Sequence, residues 1–124
     1  MKSREARRIL IRTHGETCFL GGVIQKKNPL TIHHLVPIRA GGQTVLANLA
    51  LLCRLEHDMF NVIEQHKPKR GEEFNDYFRY FKETHDLEAL RQMREEALSL
   101  TTDLGYAVED RGKILVLKRK FKAK

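Results

Sequence analysis

His33 and His34 stand side by side in Leu30-Thr31-Ile32-His33-His34-Leu35, where β-branched and apolar residues alternate as in a strand. Successive side chains of a strand point to opposite faces, so one histidine can ligate a metal while its neighbour is aimed elsewhere. His57 and Asn61 are four residues apart in Arg54 to His66, a stretch without Gly or Pro that predicts a helix. They therefore share a helix face. A strand-borne histidine beside such a pair could offer one cation two imidazoles and an amide oxygen. Nitrogen and oxygen donors with positions left for water suit Mg²⁺, Mn²⁺ or Zn²⁺ in a hydrolytic role. The cation would bind a phosphodiester oxygen and offset transition-state charge, while the unligated His34 took the proton from an attacking water. One histidine could not perform both tasks.

The elements that must position these residues can be read from breaks and periodicity. Ala6, Ile9 and Leu10 predict a short helix over Ser3 to Arg12, and Gly21-Gly22 closes a turn over residues 17–22. Asn28-Pro29 precedes the first strand, and a loop marked by Pro37 and Gly41-Gly42 leads to a second, Leu49 to Cys53. The run Lys67 to Gly71 reads as a break after the Arg54–His66 helix. Two further helices are expected, Glu72 to Lys82 and Asp86 to Thr101, with Thr84 or Asp86 as N-cap and Gly105 as a stop. Phe74, Tyr77, Phe78 and Phe81 form the stripe of a helix facing a core. Tyr106 to Phe121 has strand composition around Arg111-Gly112 and suggests a short terminal hairpin. His14, His66 and His85 read as surface or capping residues.

In order and spacing, residues 16 to 62 resemble the HNH nucleases, whose fold is the ββα-metal finger. His33-His34 matches the family's opening pair, metal ligand then general base. Gly41-Gly42 matches its loop glycines, Asn48 its central asparagine, and His57 and Asn61 its helical ligands in the H-N-N variant. The resemblance implies a metal-dependent endonuclease on DNA, leaving a 5′-phosphate and a 3′-hydroxyl. His34 would be the base, Asn48 would tie the loop that orients it, and His33, His57 and Asn61 would hold a divalent cation. Mg²⁺ or Mn²⁺ is the expected ion, with Zn²⁺ and Ni²⁺ as alternatives. Many members also bind a structural zinc through two CxxC pairs. Here one cysteine of each pair is replaced, leaving Cys18 and Cys53 with Gly21 and Glu56 at the other positions. No four-cysteine zinc is expected within one chain, so the finger must be held by packing, which an α-helical extension after residue 70 would supply.

The expected fold is thus α+β: a ββα-metal core with a short N-terminal helix over 1–70, and a helical extension with a basic tail over 71–124. Composition agrees with a globular chain, 41% hydrophobic and 31% charged. The net charge of +7 is uneven, since residues 71–110 sum to −7 and residues 111–124 to +7. A basic end beside a nuclease finger suggests a polyanion partner. Lys118, Arg119, Lys120 and Lys122 are candidate phosphate contacts, with no acidic residue among them in sequence, and Arg39 and Arg54 flank the metal residues. Nothing suggests a signal peptide or membrane span, and a cytoplasmic protein is expected. One site per chain would cut one strand per engagement, and a dimer would allow both strands to be cut. Two rivals are a non-catalytic nucleic-acid-binding protein on a degenerate finger and a protein-interaction domain using the acidic helical middle.

Overall fold

A computed structural model describes residues 1–120 of the 124. It is a mixed α+β fold of four helices and two small antiparallel sheets among the described residues. None of these helices is long and apolar enough to cross a membrane. Helix α1 (Ser3–His14) runs two residues beyond the expected Arg12 and buries Ala6 and Leu10 against the first sheet. Strands β1 (Leu30–His34) and β2 (Leu49–Cys53) pair antiparallel, with His34 opposite Leu49 and His33 opposite Ala50. Every residue of β2 is buried. Helix α1 and the two helices that follow β2 all pack on it, which explains a continuous Leu-Ala-Leu-Leu-Cys run where alternation would otherwise appear.

Helix α2 (Arg54–His66) leaves β2 without a loop and completes the ββα unit. Helix α3 (Pro68–Thr84) then begins after a single residue, four positions before the expected Glu72. Pro68 lies in its first turn, where a missing N–H is no loss, so this proline starts the helix and does not lengthen the break. Gly71 lies inside the helix because α3 crosses α2 there, and a Cβ would press on the Glu64 backbone. The aromatic stripe is buried as its spacing requires, and the Tyr77 hydroxyl donates to the Phe19 carbonyl at 2.6 Å. His85, at φ 50°, ends α3 and shares a 2.8 Å hydrogen bond with His14 at the end of α1. Helix α4 (Leu87–Asp103) is capped by Asp86, whose carboxylate accepts from the Ala89 N–H. Strands β3 (Tyr106–Asp110) and β4 (Leu115–Arg119) form the terminal hairpin, joined to the finger by Lys27–Asp110 at 2.9 Å. Phe121 lies outside the described residues.

One hydrophobic core runs from Ala6 to Ala97 and includes residues of the finger and of α3 and α4. At its edge Cys18, Cys53 and Glu56 bring three ligand atoms within 4.8 Å of one another. Their surroundings do not fit a tetrahedral zinc. The hydrogen bond between the two sulfurs pulls the Cys18 thiol down and, with burial, pushes the Cys53 thiol up, so only one of the two favours the thiolate a metal needs. The Glu56 carboxylate is already held by Asn28 Nδ2 at 2.9 Å and by Arg94 Nη1 at 3.4 Å. Arg94 reaches in from α4 and also donates to the Leu20 carbonyl at 3.0 Å. Side chains cannot be added to the turn, because a Cβ at Gly22 would overlap the Glu56 carboxylate and one at Gly21 would meet Leu90 and Arg94. The cation at this corner is a guanidinium supplied by the extension.

Arg94→Met should therefore strand a buried charge. We expect a loss of about 3 kcal/mol, the low end for breaking a buried pair, since Arg94 is itself a third exposed. Adding Glu56→Gln should recover most of it. Urea titration of both variants is the check, and a single variant as stable as the parent would show that Glu56 does not depend on Arg94.

Candidate metal centre

Strand alternation sends the two adjacent histidines of β1 into different surroundings. His33 is 4% exposed and packs under Phe60 and Phe78, with ring centroids 4.4 and 5.5 Å away. His34 is half-buried. From α2, His57 meets His33 edge-on at 5.1 Å, and Asn61 follows one turn later. All four line one cleft of about 240 Å³, together with Ile38, Arg39 and Glu64. The structure thus brings together each proposed ligand and the proposed base.

Each imidazole has one nitrogen engaged. His33 Nε2 lies 2.8 Å from Asn75 Oδ1, His57 Nδ1 lies 3.0 Å from Thr31 Oγ1, and His34 Nε2 lies 3.0 Å from Thr44 Oγ1. The other ring nitrogens and the Asn61 amide make no hydrogen bond among the described residues. Burial is the main cause that lowers His33, to about 4, and it lowers His57 as well, with the neighbouring His34 adding to both. Near neutral pH the two rings are uncharged, so a metal has no proton to displace from them. Two neutral imidazoles and an amide oxygen around a half-open cleft fit a divalent cation.

Asn48 closes the loop beside the base. Its Oδ1 accepts from the Val36 N–H at 2.9 Å, and its Nδ2 donates to the Val36 and Gln43 carbonyls at 3.0 Å each. Its own carbonyl accepts from Leu35 N–H, directly after His34. The amide does not touch the imidazole and acts through the backbone. Gly42 is required where the loop folds back, because a Cβ there would overlap the Val36 carbonyl. Gly41 adopts φ 87° and ends the one-turn helix Ile38–Ala40.

The arginines and lysines are distributed less simply. Arg39 is exposed at the cleft and paired with Glu64 at 3.2 Å. Arg54 is not brought to the cleft lining, and its Nη1 is buried without a hydrogen-bond partner among the described residues. Lys118 and Arg119 lie on β4, with Lys120 just after. Glu109, across the hairpin, sits 3.6 Å from Lys118 and 3.8 Å from Lys120, a carboxylate that linear spacing did not reveal. Lys122 lies outside the described residues.

Four residues that line the cleft or hold its imidazoles escaped sequence reasoning. Glu64 follows His57 and Asn61 at i+7 and i+3 on one face, a spacing that could have exposed it. Asn75 had a signal too, a polar residue on the stripe that buries Gly71, Phe74 and Phe78. Thr31 and Thr44 had none. Beyond Asn61 the cleft opens into a groove of about 640 Å³ bordered by Arg39, Glu64, Glu72 and Asn75.

Residues 16–59 match the family model described as HNH endonuclease. No curated protein and no solved structure matches the chain. The matched stretch contains β1, the Asn48 loop, β2 and the first half of α2, and it ends before Asn61 and Asn75.

The Asn61 position lends itself to a direct test. An amide oxygen is a weaker donor than imidazole for borderline metals, so Asn61→His should tighten Ni²⁺ or Zn²⁺ binding, and Asn61→Ala should weaken it. Calorimetric titration of both variants would show this. Equal affinity in parent and variants would remove Asn61 from the metal.

Proposed function

We propose that this chain, whose residues 16–59 match the HNH endonuclease family model, hydrolyses phosphodiester bonds in DNA with a divalent cation held by His33, His57 and Asn61. The observation that carries this reading is the convergence of His33, His34, His57 and Asn61 on a single cleft with both ligand imidazoles neutral. When bound, the cation, Mg²⁺ or Mn²⁺ by preference, supplies Lewis-acid charge to a phosphodiester oxygen and to the leaving oxygen. The protein's own groups do the rest. His34 takes the proton of the attacking water through the nitrogen that Thr44 leaves free. A water oxygen–phosphorus bond forms as the bond to the 3′ oxygen breaks, and the departing oxygen takes a proton from solvent, leaving a 5′-phosphate and a 3′-hydroxyl.

Asn48 keeps Val36 and Gln43 tied, so the strand end that carries His34 cannot swing away. Arg39, exposed and held only by Glu64, is the cation placed to meet a backbone phosphate at the cleft. Lys118, Arg119 and Lys120 are secondary candidates, weakened by Glu109. One such cleft per chain cuts one strand per engagement.

Plasmid nicking with Mg²⁺ or Mn²⁺, with and without EDTA, tests the reading. His34→Ala should slow nicking roughly a hundredfold or more while DNA affinity stays within a few-fold. A variant that nicks like the parent would refute the assignment of the base. A parent that binds DNA without metal-dependent nicking would favour the purely binding alternative.

A further inference from the structure

Granted the cleft as a metal centre, we infer that Asn75 and Thr31 are positioning residues that lock the two ligand imidazoles in opposite tautomers, His33 offering Nδ1 and His57 offering Nε2. Each lock can be followed proton by proton. Asn75 is buried at 8% exposure, and its Nδ2 donates to the Leu35 carbonyl at 3.3 Å. Turning the amide over would set two acceptor oxygens face to face and lose that bond. Oδ1 is therefore the atom 2.8 Å from His33 Nε2, and an amide oxygen can only accept. The ring proton must sit on Nε2, which leaves the lone pair on Nδ1.

Thr31 works in the same way. A hydroxyl has one proton, and Thr31 gives it to the Leu52 carbonyl at 2.7 Å. Its oxygen is left to accept from His57 Nδ1 at 3.0 Å, so the lone pair of His57 is on Nε2. Both relays end on backbone carbonyls, Leu52 within β2 and Leu35 one residue beyond β1, so the sheet itself dictates the tautomers. His34 is treated differently. No second bond fixes the direction of the Thr44 hydroxyl, which leaves this ring free to carry its proton on either nitrogen, as a group that takes up and hands on a proton requires. Asn75 belongs to α3, beyond the family-matched stretch, so the extension completes the metal centre.

A ligand in the wrong tautomer must break its outer hydrogen bond and move a proton before it can bind. Losing such an outer partner costs roughly 10–100-fold in metal affinity. Long-range proton–nitrogen NMR of the metal-free full chain reads the tautomers directly, and we expect Nε2–H on His33 and Nδ1–H on His57. Asn75→Leu should give His33 mixed tautomers and weaken Mn²⁺ binding by roughly 10–100-fold. Asn75→Asp, which keeps an acceptor oxygen, should restore the tautomer. Thr31→Val should do to His57 what Asn75→Leu does to His33, and Thr31→Ser should rescue it, which keeps the test decisive if an Asn75 variant fails to fold. Nδ1–H on His33 or Nε2–H on His57 in the parent, or removal variants with unchanged tautomers and Mn²⁺ affinity, would overturn the inference. A parent with these tautomers that binds Mn²⁺ but never nicks would overturn the nuclease reading alone and uphold the tautomer locks.

Discussion

Glu56 is a carboxylate with almost no contact with water, and the rest of the structure depends on keeping it satisfied. Unpaired, a buried charge costs several kcal/mol, so something positive must reach it. That group is Arg94, which comes from the far end of the chain and can arrive only if α4 lies against the finger's first turn. With α4 docked there, α3 is held across α2, and Asn75 falls behind His33. A charge at one corner of the finger thereby governs the geometry of a ring at the other. A side chain bridges the corner, and it brings an entire helix with it.

His33 and His57 carry no charge of their own near neutral pH, and one ion pair rims the cleft they line. Neutral imidazoles under aromatic rings lower the cost of bringing in a cation, because no proton has to be expelled. The Arg39–Glu64 pair is exposed, and such a contact contributes little to stability. The Arg39 guanidinium can therefore leave Glu64 at small energetic cost, whereas the half-buried Asn48 and the buried Asn75 are each held by more than one hydrogen bond.

Much of the ββα unit was legible because its signals are local. Strand alternation gives His33 and His34 different surroundings, one buried and one half-buried, and an uninterrupted helix sets His57 and Asn61 one turn apart, so that all four line one cleft. What could not be read depends on partners far apart in sequence. Asn75 contacts a histidine 42 residues away, and Arg94 contacts Glu56 across 38, so neither bond leaves a trace in spacing. Glu109 was missed beside Lys118 because a hairpin sets residues opposite one another that are distant in the linear chain. The misjudged start of α3 has another origin: a proline was read as an interruption when its place was the first turn of a helix.

The order in which the chain is made gives the late position of Asn75 and Arg94 a further meaning. Synthesis releases the polypeptide from its N-terminus, so residues 16–66 leave the ribosome before either side chain exists in the open. A finger at that stage has both its strands and α2, yet its buried carboxylate is uncompensated and His33 is unsupported. The cleft is consequently unfinished in the nascent protein, and it matures only when α3 and α4 close over the sheet.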